Sequence, residues 1–149
     1  MTCVLPNDVN DDEFIVRLIR TPCHLKKNKL KAGAFRSQAG EDDVSVVRHT
    51  HMGTYFCKSK AKEIMGVNYV GLAIVGVLDV RSTGSAVADT REEYCGHASI
   101  MHGVVLEREE PPESELNEFI TERCRNILRF TTYYEDPEPH LDKWTGKVF

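Results

Sequence analysis

The stretch Tyr69–Val80 (YVGLAIVGVLDV) is nearly continuous apolar sequence. A run of that kind has no polar face to turn to water, so it predicts a central strand buried on both sides. Gly71 and Gly76 within it mark a bulge or a close backbone approach. Glu13–Arg20 (EFIVRLIR) predicts a second strand, with Phe14, Val16 and Leu18 on one face and Ile15, Arg17 and Ile19 on the other. Thr21-Pro22 ends it, because proline cannot donate to a ladder. Val44–Arg48 and His97–Leu106 read as further strands and Ala34–Ser37 as a short one, while Arg81–Tyr94 reads as loop.

Ser59 can cap a short helix that runs to Met65 and closes on Gly66. A long helix follows from Pro111 or Pro112 to about Phe130, with Leu116, Phe119, Ile120, Cys124, Ile127 and Leu128 as its core stripe. This order of elements predicts a single α+β domain: a mixed or antiparallel sheet of about five strands, one short helix and one long C-terminal helix. Residues 1–12 are expected to form a mobile acidic N-terminus, 13–135 the domain and 136–149 an extended tail. At 149 residues the chain can bury a core without staples.

No segment approaches the ~18 consecutive apolar residues of a membrane span, so no membrane partner is expected. Asp8, Asp11, Asp12 and Glu13 leave the first residues without the apolar stretch of a signal peptide. Five cysteines, an odd number with no C-x-x-C pair, argue against a disulfide framework and for the cytoplasm. The phosphate-loop, dinucleotide, nucleophile-elbow and H-E-x-x-H motifs are all absent, which removes the most recognisable nucleotide hydrolases, dehydrogenases, serine hydrolases and zincins.

Charge is segregated. Net charge is −4, yet Phe14–Gly40 holds seven basic residues (Arg17, Arg20, Lys26, Lys27, Lys29, Lys31, Arg36) and no acid, while Glu107–Glu118 holds six glutamates against Arg108. Such a layout creates a local potential even when the total is modest. The preferred reading is a small binding or regulatory module whose segment 17–36 meets an acidic partner, a protein or a nucleic acid. Its arginines would grip phosphate with paired N–H groups and its lysines would act as point charges.

Two other chemistries have candidate residues. His49-Thr-His51, if it continues the Val44–Arg48 strand, puts both imidazoles on one face and could begin a metal site. The pair resembles the opening of the cupin metal motif, although Tyr55 and Phe56 stand where that motif carries glutamate. Cys95-Gly96-His97 offers a thiolate and an imidazole, and Cys23 sits among cations that favour a reactive thiolate.

The run His51-Met-Gly-Thr-Tyr-Phe, a helix containing Ala61 and then a long apolar strand resemble the core of ADP-ribosyltransferase-like domains over about residues 44–81. The resemblance implies an NAD-consuming enzyme with Tyr55 near the nicotinamide, Arg17 or Arg20 holding the pyrophosphate and Glu107 as the acid. Beyond this resemblance and the His49/His51 metal reading, the residues leave the cofactor unknown.

Overall fold

The computed structural model describes residues 2–149. Eight strands are present among the described residues: β1 (Phe14–Arg20), β2 (Leu25–Lys26), β3 (Lys29–Leu30), β4 (Val44–Arg48), β5 (Tyr69–Gly76), β6 (Ala86–Asp89), β7 (His97–Met101) and β8 (Thr132–Glu135). Three helices accompany them: α1 (His49–Met65), α2 (Val77–Ser82) and α3 (Glu115–Arg129). Six strands form one sheet in the order β6-β7-β4-β1-β5-β8, antiparallel at every pairing, and β2 and β3 form a separate hairpin. The α+β class stands, with an antiparallel sheet of six strands.

Both faces of the sheet are covered, as the apolar β5 run requires. Ile15 and Ile19 of β1, Val44 and Val46 of β4 and Ala73 and Val75 of β5 pack with Ile120, Cys124 and Ile127 of α3. Val16, Leu18, Val47 and Leu72 pack on the other face with Cys57 and Ala61 of α1 and with Trp144 and Phe149 of the tail. The alternation along β1 therefore falls as its sequence predicts. Gly71 is needed for close approach: a Cβ there would lie 2.5 Å from the Tyr134 carbonyl oxygen on β8.

Several boundaries differ from expectation, each for a tertiary reason. β5 ends at Gly76, not Val80, because its partner β1 ends at Phe14↔Gly76; the chain then enters α2 as Val77 N–H donates to the Glu13 carbonyl. Residues 49–51 are helical, not extended, with Thr50 Oγ1 accepting the Phe14 N–H at 2.8 Å. α1 consequently starts ten residues before Ser59 and passes a kink at Gly53, whose φ of 81° suits glycine.

β7 stops at Met101, where the Asp42 carboxylate accepts from His102 N–H and Gly103 N–H and turns the chain. The segment 81–94 contains the edge strand β6, and Ala32–Phe35 is a 3-10 turn in place of a strand at Ala34–Ser37. α3 is capped by Ser114, whose side chain accepts from Asn117 N–H, so neither Pro111 nor Pro112 is its first residue; Leu116 and Phe119 are exposed. β8 (Thr132–Glu135) lies between the helix expected to end at about Phe130 and the tail expected from 136, where no element is expected.

The disulfide expectation is overturned. Cys3 and Cys95 are bonded, 92 residues apart in sequence with Cα atoms 5.4 Å apart, a pairing that spacing alone cannot reveal. Arg91 brings the two together by donating to the Leu5 and Pro6 carbonyls at 3.0 and 2.8 Å. The first twelve residues, read as a mobile acidic N-terminus, are further tied by Arg48 to the Pro6 carbonyl and by Arg81 to Asp11 and the Val9 carbonyl. No helix among the described residues is long and apolar enough to cross a membrane.

Candidate anion-binding cleft

β1 and β4 pair only at Ile15↔Arg48 and Val16↔Val47. Their outer edges are paired throughout, β1 with β5 from Phe14 to Arg20 and β4 with β7 from Val44 to Val47. Beyond Val16 the two strands part, and a cleft of about 330 Å³ occupies the split. Leu18 and Val47 from the α1 face and Val44 and Val46 from the α3 face all line it, so it runs between strands and not across one face. Arg17, Arg20, His24 and Arg36 also line it, with Glu41, Asp43, Glu93, Tyr94, His97, Ile64 and Met65.

Arg17 bridges the split in place of strand pairing. Its Nε donates to the Ala34 carbonyl at 2.8 Å and its Nη1 to the Ser45 carbonyl at 2.9 Å. The remaining arm, Nη2, lies 3.4 Å from His24 Nε2. His24 is 5% exposed, and its Nδ1 accepts the Arg20 backbone N–H at 3.2 Å. That bond assigns the proton of the neutral ring to Nε2. Two donors therefore face each other with no acceptor between them.

Cations dominate the charges that act on these two groups. Burial pushes His24 down to about 3, and Arg17, Arg20 and Lys31 push it the same way. Burial lowers Arg17 to about 10, Arg20 adds to the effect, and only Cys23 opposes it. The Arg17 guanidinium stays charged at neutral pH, and the imidazole stays neutral. No carboxylate offsets either shift, although three line the cleft.

The twelve cations outside segment 17–36 divide: Arg108, Arg123, Arg129, Lys143 and Lys147 form no ion pair among the described residues, and the other seven do. Arg48, Lys58, Lys60, Lys62, Arg81, Arg91 and Arg125 each meet a carboxylate within 4 Å. Among the described residues, Arg17, Arg20, Lys26, Lys27, Lys29, Lys31 and Arg36 form no ion pair. Arg36 instead donates to Asn117 and Thr121 of α3. The lysine segment forms a hairpin with Lys26 opposite Lys29 and a tight turn at Lys27 (φ 52°) and Asn28 (φ 64°). All four lysines of segment 17–36 are exposed. Like charges placed opposite each other, and a lysine in the left-handed region, both cost stability.

The other sequence-derived candidates do not assemble. His49 stacks on Phe149 and bonds Thr54 at 2.9 Å, whereas His51 lies 3.5 Å from Glu13. The helix thus separates a pair that a strand would have aligned. Among the described residues, no group of three or more His, Cys, Asp or Glu side chains is placed to hold a metal ion. Cys95 is bonded to Cys3 and offers no thiolate, and Cys23 is exposed.

His97 does reach the cleft, with Nδ1 held 2.5 Å from Thr90 Oγ1 and Tyr94 edge-on at 5.0 Å. Tyr55 is exposed on α1, and neither it nor Glu107 lines the cleft with Arg17 and Arg20. His24 was missed by the sequence reading. Its only signal there is one imidazole inside an otherwise cationic segment.

Comparison with protein-family models, curated proteins and solved structures finds no significant match to this chain.

Proposed function

We propose that the protein is a binding module whose segment 17–36 holds an anionic partner, and that a nucleic-acid backbone is the partner it suits. The carrying observation is that all seven cations of this one acid-free segment lack an ion pair among the described residues, whereas seven of the twelve cations elsewhere have one. Lys26 opposite Lys29 supports the reading, because a repulsive pair is tolerated where a ligand neutralises it. At the cleft Arg20 has a free fork and Arg17 one free arm; such donors take phosphate and carboxylate alike, and the polyglutamate probe below decides between them. The net charge of −4 limits indiscriminate binding, so contact is confined to this region.

Fluorescence anisotropy with a labelled single-stranded oligonucleotide, and with polyglutamate in parallel, tests this. The oligonucleotide is expected to bind, with affinity falling steeply as salt rises. Replacing Lys26, Lys27, Lys29 and Lys31 together by glutamate is expected to weaken it by about tenfold or more. Binding to polyglutamate alone overturns the choice of nucleic acid. Binding to neither probe at low salt, or binding that salt leaves unchanged, overturns the module itself.

A further inference from the structure

We propose that the split between β1 and β4 is a seat for one terminal phosphate group, held by Arg17 Nη2 and His24 Nε2–H, so that the module grips the phosphorylated end of a strand. The inference deepens the nucleic-acid reading and rests on it for the source of the phosphate.

The geometry carries it. Arg17 Nη2 and His24 Nε2 are 3.4 Å apart, and both are donors once the Arg20 N–H has claimed His24 Nδ1. Two donors at that separation cannot bond each other, but both can donate to an oxyanion placed beside them. His24 is 5% exposed, and the polar side-chain atom beside its Nε2 is Arg17 Nη2, which can donate but not accept. Arg17 is already oriented by the Ala34 and Ser45 carbonyls, so little conformational entropy remains to be lost when the anion arrives. Arg20, exposed and with no side-chain partner, lines the same cleft and can reach a further phosphate oxygen.

The cleft volume of about 330 Å³ lies at the small end of ligand sites and suits one nucleotide, not a continuous backbone. That is the reason for assigning it a chain end. Leu18, Val47 and Tyr94 supply an apolar wall for the base or sugar. Glu41, Asp43 and Glu93 repel an anion elsewhere in the cleft and leave acceptors for hydroxyl or amino groups. The hairpin lysines lie outside this seat and would follow the rest of the strand.

The test separates the two levels. With histidine labelled for NMR, inorganic phosphate is expected to shift the His24 ring signals saturably, and reversing Lys26, Lys27 and Lys29, which do not act on His24, is expected to leave that titration unchanged. His24→Asn keeps an acceptor for the Arg20 N–H and removes the Nε2 donor; Arg20→Ala alters an exposed side chain and preserves the fold. Each is expected to weaken phosphate binding by about fivefold or more.

An oligonucleotide with a 5′-phosphate is expected to bind the unmodified protein about fivefold more tightly than its 5′-hydroxyl twin, an advantage that Arg20→Ala reduces. A mononucleotide matching the phosphorylated strand in affinity identifies a free nucleotide as the source and overturns the strand-end assignment. If oligonucleotide binds but the 5′-phosphate makes no difference and phosphate leaves His24 unmoved, the seat is refuted while the module stands. If phosphate moves His24 but no oligonucleotide binds, the seat survives and the nucleic-acid reading falls.

Discussion

Arg48 and Arg17 lie on adjacent strands of one sheet, and their surroundings are opposite. Arg48 is 0% exposed and fully spent: it meets both oxygens of Glu13 at 2.8 and 2.9 Å, Asp89 at 2.7 Å and the Pro6 carbonyl at 2.7 Å. Lys58 repeats the pattern at the other terminus, bonding Asp136 and the Glu138 and Lys143 carbonyls, while Tyr69 donates to the same carboxylate. These cations fasten the two ends of the chain to the sheet. Arg17 has carbonyls on two arms, no carboxylate, and an open third arm. The contrast separates charge used to hold the fold from charge left for a ligand.

The largest expected effect breaks the first half of that contrast. Arg48→Met leaves Glu13 and Asp89 buried without their cation, and should cost about 3–5 kcal/mol of stability in urea denaturation. Lys58→Met should cost a similar amount, since it strands Asp136, which is 4% exposed. Lys26→Gln and Lys29→Gln, by comparison, should each fall within about 0.5 kcal/mol of the unmodified protein. If Arg48→Met costs no more than the lysine changes, the division between structural and free cations is wrong.

Acid should distinguish the two regions by pH window. Burial alone would raise the Glu13 carboxyl, but Arg48, the Asn10 N–H and His51 bring it below its ordinary 4.5; Arg91 and Arg48 do the same for Asp89 against 3.8. Their contribution is full above those values and is lost as pH falls through the lower folded ones. His24 instead drops from 6.5 to about 3, so the unfolded chain binds its proton first and stability declines from about pH 6.5 downward. Burial lowers His49, His97 and His102 as well, and these add to the same upper window. Stability measured by denaturant midpoint should therefore fall in two stages. His24→Asn should make the upper decline shallower, leaving the share of His49, His97 and His102, and should keep the lower one in place; a profile unchanged by that variant contradicts the buried, neutral imidazole.

How much of this was legible in the sequence follows from the range of the forces involved. Period-two alternation located β1 and β4 and both faces of the sheet, because burial acts residue by residue. It could not stop β5 at Gly76 or turn His49–His51 into helix, because those limits are set by where β1 runs out. The cationic segment was visible as composition, but its lack of neutralisation depends on Glu13, Asp89 and Asp136 arriving elsewhere from distant sequence. His24 was illegible as a donor for a related reason. Its tautomer follows from a hydrogen bond to Arg20, four residues back and across a turn.

The smallest expected effect concerns Lys27 and sharpens the second half of the contrast. With φ at 52° it holds a conformation that favours glycine or asparagine, followed by Asn28 at 64° in the kind of turn that closes a two-residue hairpin. Lys27→Gly should relieve that local cost, although the added freedom of glycine in the unfolded chain offsets part of the gain. The net change in melting should be a rise equivalent to about 0.5 kcal/mol, with oligonucleotide binding weakened at the same time. A variant that is both more stable and a poorer binder would show that the lysine is kept at the turn for its charge. Unchanged binding would make Lys27 a solvated surface residue and confine the useful charge to the cleft and the remaining lysines.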